Sequence, residues 1–170
     1  TAEGIRSIYA RVVESLRAAY AGQGISETVA IGASPSEAEV AGWRAVLSEA
    51  LGTDASEVAV SGRFDAAAGP LSPDHIVYSK SYPFEGALTV DNLRAFKAER
   101  GYAPRVVVTE NAVLGVGTAQ KAAALALELA LDGALVKKLA KTFGGVRYLS
   151  DVSRGFIENW EVESYRAKQA

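Results

Sequence analysis

The stretch Arg105-Val106-Val107-Val108-Thr109-Glu110-Asn111-Ala112-Val113-Leu114-Gly115-Val116-Gly117-Thr118 sets three valines in a row between Pro104 and two closely spaced glycines. An apolar run without polar alternation is the pattern of a strand covered on both faces, which places 105–109 at the centre of a parallel sheet. Gly115-Val116-Gly117 then reads as a turn leading into an Ala/Leu-rich helix from about 119 to 143, and Gly144-Gly145 supplies left-handed caps at its end. Strand, glycine turn and helix in this order predict an α/β fold.

Working outward, 89–100 reads as a helix capped by Thr89 and stopped by Gly101. Before it, Gly69-Pro70-Leu71-Ser72-Pro73 predicts a stiff loop facing the strand ends, with Ile76-Val77-Tyr78 as a short strand after it. Residues 57–60 alternate as another strand. Ile5, Ile8, Val12, Leu16 and Tyr20 recur at helical spacing, closed by Gly22 and Gly24. Ser34-Pro35-Ser36-Glu37 opens a second helix with Ser34 as cap, ending near Gly52. A last helix is predicted from 152 to about 168. The order α-α-β-β-α-β-α-α predicts a layered α/β/α architecture with a small, mostly parallel sheet. It forms one domain over 1–170, divided into a helical lead-in (1–60), an α/β core (61–150) and a C-terminal helix (151–170). A start at Thr1 and the lack of methionine suggest a piece of a longer polypeptide.

Composition narrows the function. Of 170 residues 49% are hydrophobic and 22% charged, which is the balance of a folding chain. Eighteen basic and twenty acidic residues leave a net charge of −2, so no broad positive field awaits nucleic acid or an anionic membrane. No cysteine is present, which removes disulfides, thiolate metal sites and a thiol nucleophile. Charges at Glu3, Arg6, Arg11, Glu14 and Arg17 interrupt the first twenty residues, leaving no signal peptide and no membrane span there; the expected compartment is the cytoplasm.

The candidate ligand residues follow from position. Gly115, Gly117 and Thr118, between a buried strand and a helix start, are placed to let a phosphate approach backbone N–H groups, although a strand-to-helix glycine turn also occurs without a ligand. Glu110 and Asn111 stand at the end of the central strand, where open parallel sheets bind ligands; Asn111 equally suits a turn cap. Asp74 and His75 form an acid-imidazole pair for general base work or a single metal ligand, and Lys80 nearby is a point charge for phosphate or a solvated lysine. His75 is the one histidine, so no zinc site of three protein ligands is expected. Ser61, Ser72 and Ser79 lie in no Gly-x-Ser-x-Gly elbow.

Gly69-Pro70-Leu71-Ser72-Pro73-Asp74-His75-Ile76-Val77-Tyr78 resembles a segment of the class II aldolase/adducin family, in particular the C-terminal part of the aldolase portion of bifunctional rhamnulose-1-phosphate aldolase/alcohol dehydrogenase proteins. Pro104 with the valine strand, Gly115-Val116-Gly117, Gly144-Gly145 and Phe156-Ile157-Glu158-Asn159-Trp160-Glu161-Val162-Glu163 extend the likeness over roughly 61–168. The resemblance implies an aldolase class II-like fold or a diverged half of one, lying after a zinc-binding aldolase module. Asn111 stands where that family's metal-binding histidine follows the strand, so zinc is expected in the upstream module and no cofactor in this chain. The implied function is an auxiliary, substrate-site-completing domain of a carbon-carbon lyase of sugar-phosphate catabolism, inactive by itself. Its expected partners are a sugar phosphate and either the upstream module or further copies of itself. A non-catalytic interaction or oligomerisation module of adducin-like type and a nucleotide-binding α/β domain are the alternatives.

Overall fold

The computed structural model describes residues 1–160. The expected run of the last helix to about 168 and the Glu161-Val162-Glu163 end of the closing segment fall beyond 160, outside the described residues. Helix α1 (Ala2–Gly22) is capped by Thr1, whose side chain accepts from the Gly4 amide. Helix α2 (Glu37–Leu51) ends at Gly52, as expected, but starts two residues later than the Ser-Pro pattern suggests. Ser36 rather than Ser34 is the cap. Its hydroxyl accepts from the Glu39 amide at 3.3 Å while the Glu39 carboxylate accepts from the Ser36 amide at 2.8 Å. Only a carboxylate three residues after the cap closes this reciprocal pair, and Glu37 is too near.

Strand β1 (Glu57–Gly62) follows, and then helix α3 (Pro73–Ser79) replaces the loop and short strand expected there. Ser72 caps it and Pro73 occupies its first position, so local start signals outweigh the strand preference of Ile76 and Val77. Two-residue strand β2 (Phe84–Glu85) precedes helix α4 (Val90–Arg100), which has the expected Thr89 cap and a left-handed Gly101 at φ 78°.

The decisive stretch holds two strands rather than one. Strand β3 (Val106–Val108) turns tightly at Glu110-Asn111 into strand β4 (Ala112–Gly117), where a glycine turn was predicted. The Thr109 amide donates to the Ala112 carbonyl at 2.9 Å, and the Ala112 amide donates to Thr109 Oγ1 at 3.1 Å. So short a link returns the chain antiparallel. The sheet order is β1-β4-β3-β2, and only β2 and β3 run parallel. The mostly parallel sheet is therefore a mixed one.

Alternation along β4 builds both halves of the core. Ala112, Leu114 and Val116 join Val58, Val107, Leu47, Leu51 and Leu93 on the side of α2 and α4. Val113 joins Val106, Val108 and Phe64 beneath helix α5 (Gln120–Ala140) on the other. Burying each such Val or Leu contributes about 1.5–3 kcal/mol, so the strand is held from both sides. Gly115 and Gly117 lie on the α5 side, and a Cβ on Gly115 would run into the Ala123 carbonyl oxygen and stand 2.7 Å from the Leu127 amide. These glycines let a helix lie on the sheet. Ala123, Ala126, Ala130 and Ala134 of α5 are buried in return, while Gly133 lets the 67–75 segment lie close, a Cβ there standing 3.1 Å from Leu71.

A short 3-10 turn over Lys141–Phe143 and a left-handed Gly144 end the α5 region. Helix α6 (Asp151–Glu158) packs outside α3, with the Ser81 hydroxyl donating to Glu158 and the Arg154 guanidinium over the Tyr82 ring. α2 and β1 are integral to the core, so a lead-in ending at 60 misplaces them. The peripheral piece is α1, which buries none of its residues.

Candidate functional site

Three strands end on one edge of the sheet. Arg63 follows β1, Glu85 closes β2, and Glu110 with Asn111 forms the turn after β3. Helix α2 brings Glu39 and Trp43 across the same edge, and together these side chains line an open cleft of about 900 Å³ with Val108 and Leu88 in its wall. In open α/β sheets this is where ligands collect, because strand ends leave a crevice with chain groups pointing into it.

Short hydrogen bonds organise the rim. Asn111 Nδ2 donates to Glu39 Oε1 at 2.6 Å, tying the β3-β4 turn to the first turn of α2. The second oxygen of Glu39 accepts from the Ser36 amide and hydroxyl. The Ser36 bonds, first from the side chain and then from the backbone, and after them the Asn111 bond hold the Glu39 carboxyl below its ordinary range. The Arg63 amide donates to the Asn111 carbonyl at 3.0 Å, so the backbone that presents the guanidinium is pinned to the same turn. A Cβ at Gly62 would overlap the Gly32 carbonyl, which is how the 32–33 backbone crosses the end of β1. From the described residues the cleft thus offers one guanidinium, three carboxylates, a carboxamide and an indole.

The predicted ligand residues divide. Glu110 and Asn111 line the cleft. Gly117 and Thr118 stand at the far end of β4, roughly 20 Å from Asn111 at ~3.3 Å per strand residue, so Asn111 and Thr118 do not share a turn. Gly115 is covered by α5. Asp74 and His75 lie in the first turn of α3 rather than on a loop.

His75 packs against α5. Its Nδ1 is 2.8 Å from the Ser72 hydroxyl, and its Nε2 is 3.4 Å from Asp132 Oδ2, within ion-pair range but outside hydrogen-bond geometry, so Nε2 has no hydrogen bond. With Lys80 and Ser81 it lines a cavity of about 30 Å³, the space of one or two waters. Lys80 is the only non-glycine among the described residues with positive φ (66°), a conformation that costs about 1–3 kcal/mol and draws attention wherever it persists. Desolvation first, then the nearby Arg105 charge, lowers its pKa against the opposing pull of Glu158.

Glu39, Trp43, Arg63 and Glu85 were missed from the sequence. Ser36-x-x-Glu39 fits a capping pattern as well as the Ser34-x-x-Glu37 reading does, and Arg63 lies three residues past the strand expected at 57–60, but nothing local connects the two. A catalytic zinc takes three protein ligands. Among the described residues no three His, Asp or Glu side chains are placed to hold one metal ion together. No described helix is long and apolar enough to cross a membrane. No protein-family model, curated protein or solved structure matches the chain.

Proposed function

We propose that this chain is a substrate-site-completing domain of an aldolase-type enzyme that cleaves sugar phosphates, and that the cleft at the ends of β1, β2 and β3 is its contribution. The observation that carries the reading is the convergence of three strand ends and the α2 start on one crevice rich in hydrogen-bonding groups. Glu39 and Asn111 suit the hydroxyls of a sugar, Trp43 supplies an apolar wall, and Arg63 is the one cation for a phosphate among the described residues that line the cleft. The resemblance of 69–78 and 104–117 to the class II aldolase/adducin family supplies the substrate class. The chain's own part is to bind and orient, and bond cleavage belongs to a metal-bearing module outside these residues.

A non-catalytic interaction module of adducin-like type is the second reading, favoured by the exposed apolar face of α1. Nucleotide binding loses its main support, because the glycine pair that would face a pyrophosphate lies in a strand beneath α5.

Thermal-shift titration with dihydroxyacetone phosphate and ketose 1-phosphates separates the readings. A ligand at 100 times its dissociation constant adds about 2.7 kcal/mol of stability. The expected result is a rise in melting temperature that Arg63→Ala or Asn111→Ala removes and Thr118→Ala, at the far end of β4, leaves intact. No shift at millimolar ligand would leave the interaction module as the better account.

A further inference from the structure

Lys80, Ser81 and Arg105 stand just before β2 and β3, at the opposite end of those strands from the cleft. Ser81 is 1% exposed, and its hydroxyl donates to Glu158 Oε1 of α6. The other oxygen of that carboxylate accepts from Arg154 Nη1 at 2.5 Å, and Asp151, also on α6, reaches Arg154 at 3.4 Å. Lys80 Nζ lies 5.6 Å from the centre of the Tyr102 ring, while the guanidinium groups of Arg100 and Arg154 lie 4.4 and 5.7 Å from that of Tyr82. The Tyr82 amide donates to the Tyr102 hydroxyl at 3.2 Å, which joins the two rings into one cluster. Among the described residues neither Lys80 nor Arg105 has a carboxylate within ion-pair distance.

The cluster is expensive to keep. Lys80 holds φ 66° and ψ 164°, a backbone region that is almost reserved for glycine, and burial works against its charge. Both costs fall on one residue, as they do where a group is held ready for a ligand. The present occupant is lightly seated. Helix α6 buries none of its residues, with Val152 84% and Phe156 66% exposed, so polar contacts of Glu158 and Arg154 rather than core packing hold it.

We propose that Lys80, Ser81 and Arg105 form a second anion site, for the phosphate or carboxylate group of a ligand, which Glu158 fills as an internal stand-in and vacates when α6 lifts away. The Ser81 hydroxyl then donates to the incoming anion as it now does to Glu158. A phosphate brings more charge and more acceptor oxygens than a carboxylate to share among these cations. The small cavity lined by Lys80, Ser81 and His75 adds room beside the seat. This site is separate from the strand-end cleft and does not depend on it.

Calorimetric titration with inorganic phosphate at fixed ionic strength tests the proposal, in chains that all carry Arg63→Ala so that the cleft's own cation contributes nothing. Adding Glu158→Ala is expected to tighten phosphate binding at least tenfold, and the chain stays folded because α6 buries no residue. Glu158→Gln should leave binding near the starting level, since the amide still fills the seat and accepts from Ser81. Lys80→Gly on top of Glu158→Ala should abolish the gain without lowering the melting temperature, because glycine adopts a positive φ freely. Acetate titrated in the same series assigns the ligand: a larger gain for acetate points to carboxylates, and a larger gain for phosphate to phosphate esters. No gain for either anion in Glu158→Ala overturns the proposal. Equal gains in Glu158→Gln and Glu158→Ala overturn it too, because diffuse charge rather than a vacated seat would then be responsible, and a gain that survives Lys80→Gly removes Lys80 from the site.

Discussion

α1 and α5 are both helices of 21 residues, yet one lies buried on the sheet and the other buries none of its own residues. The regular apolar stripe belongs to α1, the helix that leaves it in solvent. α5 has no sharp stripe, and it lies on β4 because alanines and glycines on both surfaces remove the atoms that would hold them apart. Periodicity therefore says which face of a helix seeks cover. Side-chain size decides whether a particular surface can give it.

The sharpest way to break this comparison is Gly115→Val. If α5 rests on β4 as closely as described, the added side chain displaces the helix and costs about 3 kcal/mol or more in urea denaturation. A loss under ~1 kcal/mol would mean the helix has room to move. A smaller contrast pairs Leu114→Ala with Leu16→Ala. The buried leucine should cost about 2–5 kcal/mol, and the α1 leucine within ~0.5 kcal/mol when measured at concentrations where the chain is monomeric. Similar costs at that dilution would mean α1 is covered within its own chain. The smallest effect concerns helix starts: Thr1 caps α1 through its side chain, whereas Ala119 at the start of α5 makes no side-chain cap. Ala119→Ser should add about 0.5–1 kcal/mol, and no gain would mean the first amides of α5 already have partners.

The parts of the fold readable in the sequence are those set by neighbours three or four residues apart. Thr89 and Gly101 bound α4, Gly52 ends α2 and Gly144 ends the α5 region, because a capping hydrogen bond and a left-handed glycine are local events. β4 was hidden because glycines in a strand buried on both faces look like a turn, and their reason for being there lies in α5. α3 was hidden because Ile76-Val77-Tyr78 has strand-like composition, while its helix is held by Ser72 and by packing on α5. In the cleft, Glu110 and Asn111 were legible from their place after a valine strand. Glu39 meets Asn111 across 72 residues of chain, and no short pattern foretells that bond.

The sequence by itself determined helices through 5–20, from the Ser34-Pro35-Ser36-Glu37 stretch to near Gly52, at 89–100 and from about 119 to 143, a strand at 57–60 and the buried valines of β3, all through hydrogen bonds and periodicities that close within a few residues. Tertiary structure alone decided that the sheet is mixed, that Gly115 and Gly117 serve helix packing, that Asn111 and Thr118 stand at opposite ends of β4, and that the α1 stripe lies uncovered. Those outcomes depend on which distant surfaces fit together, and fit is a property of pairs of segments that neither carries alone.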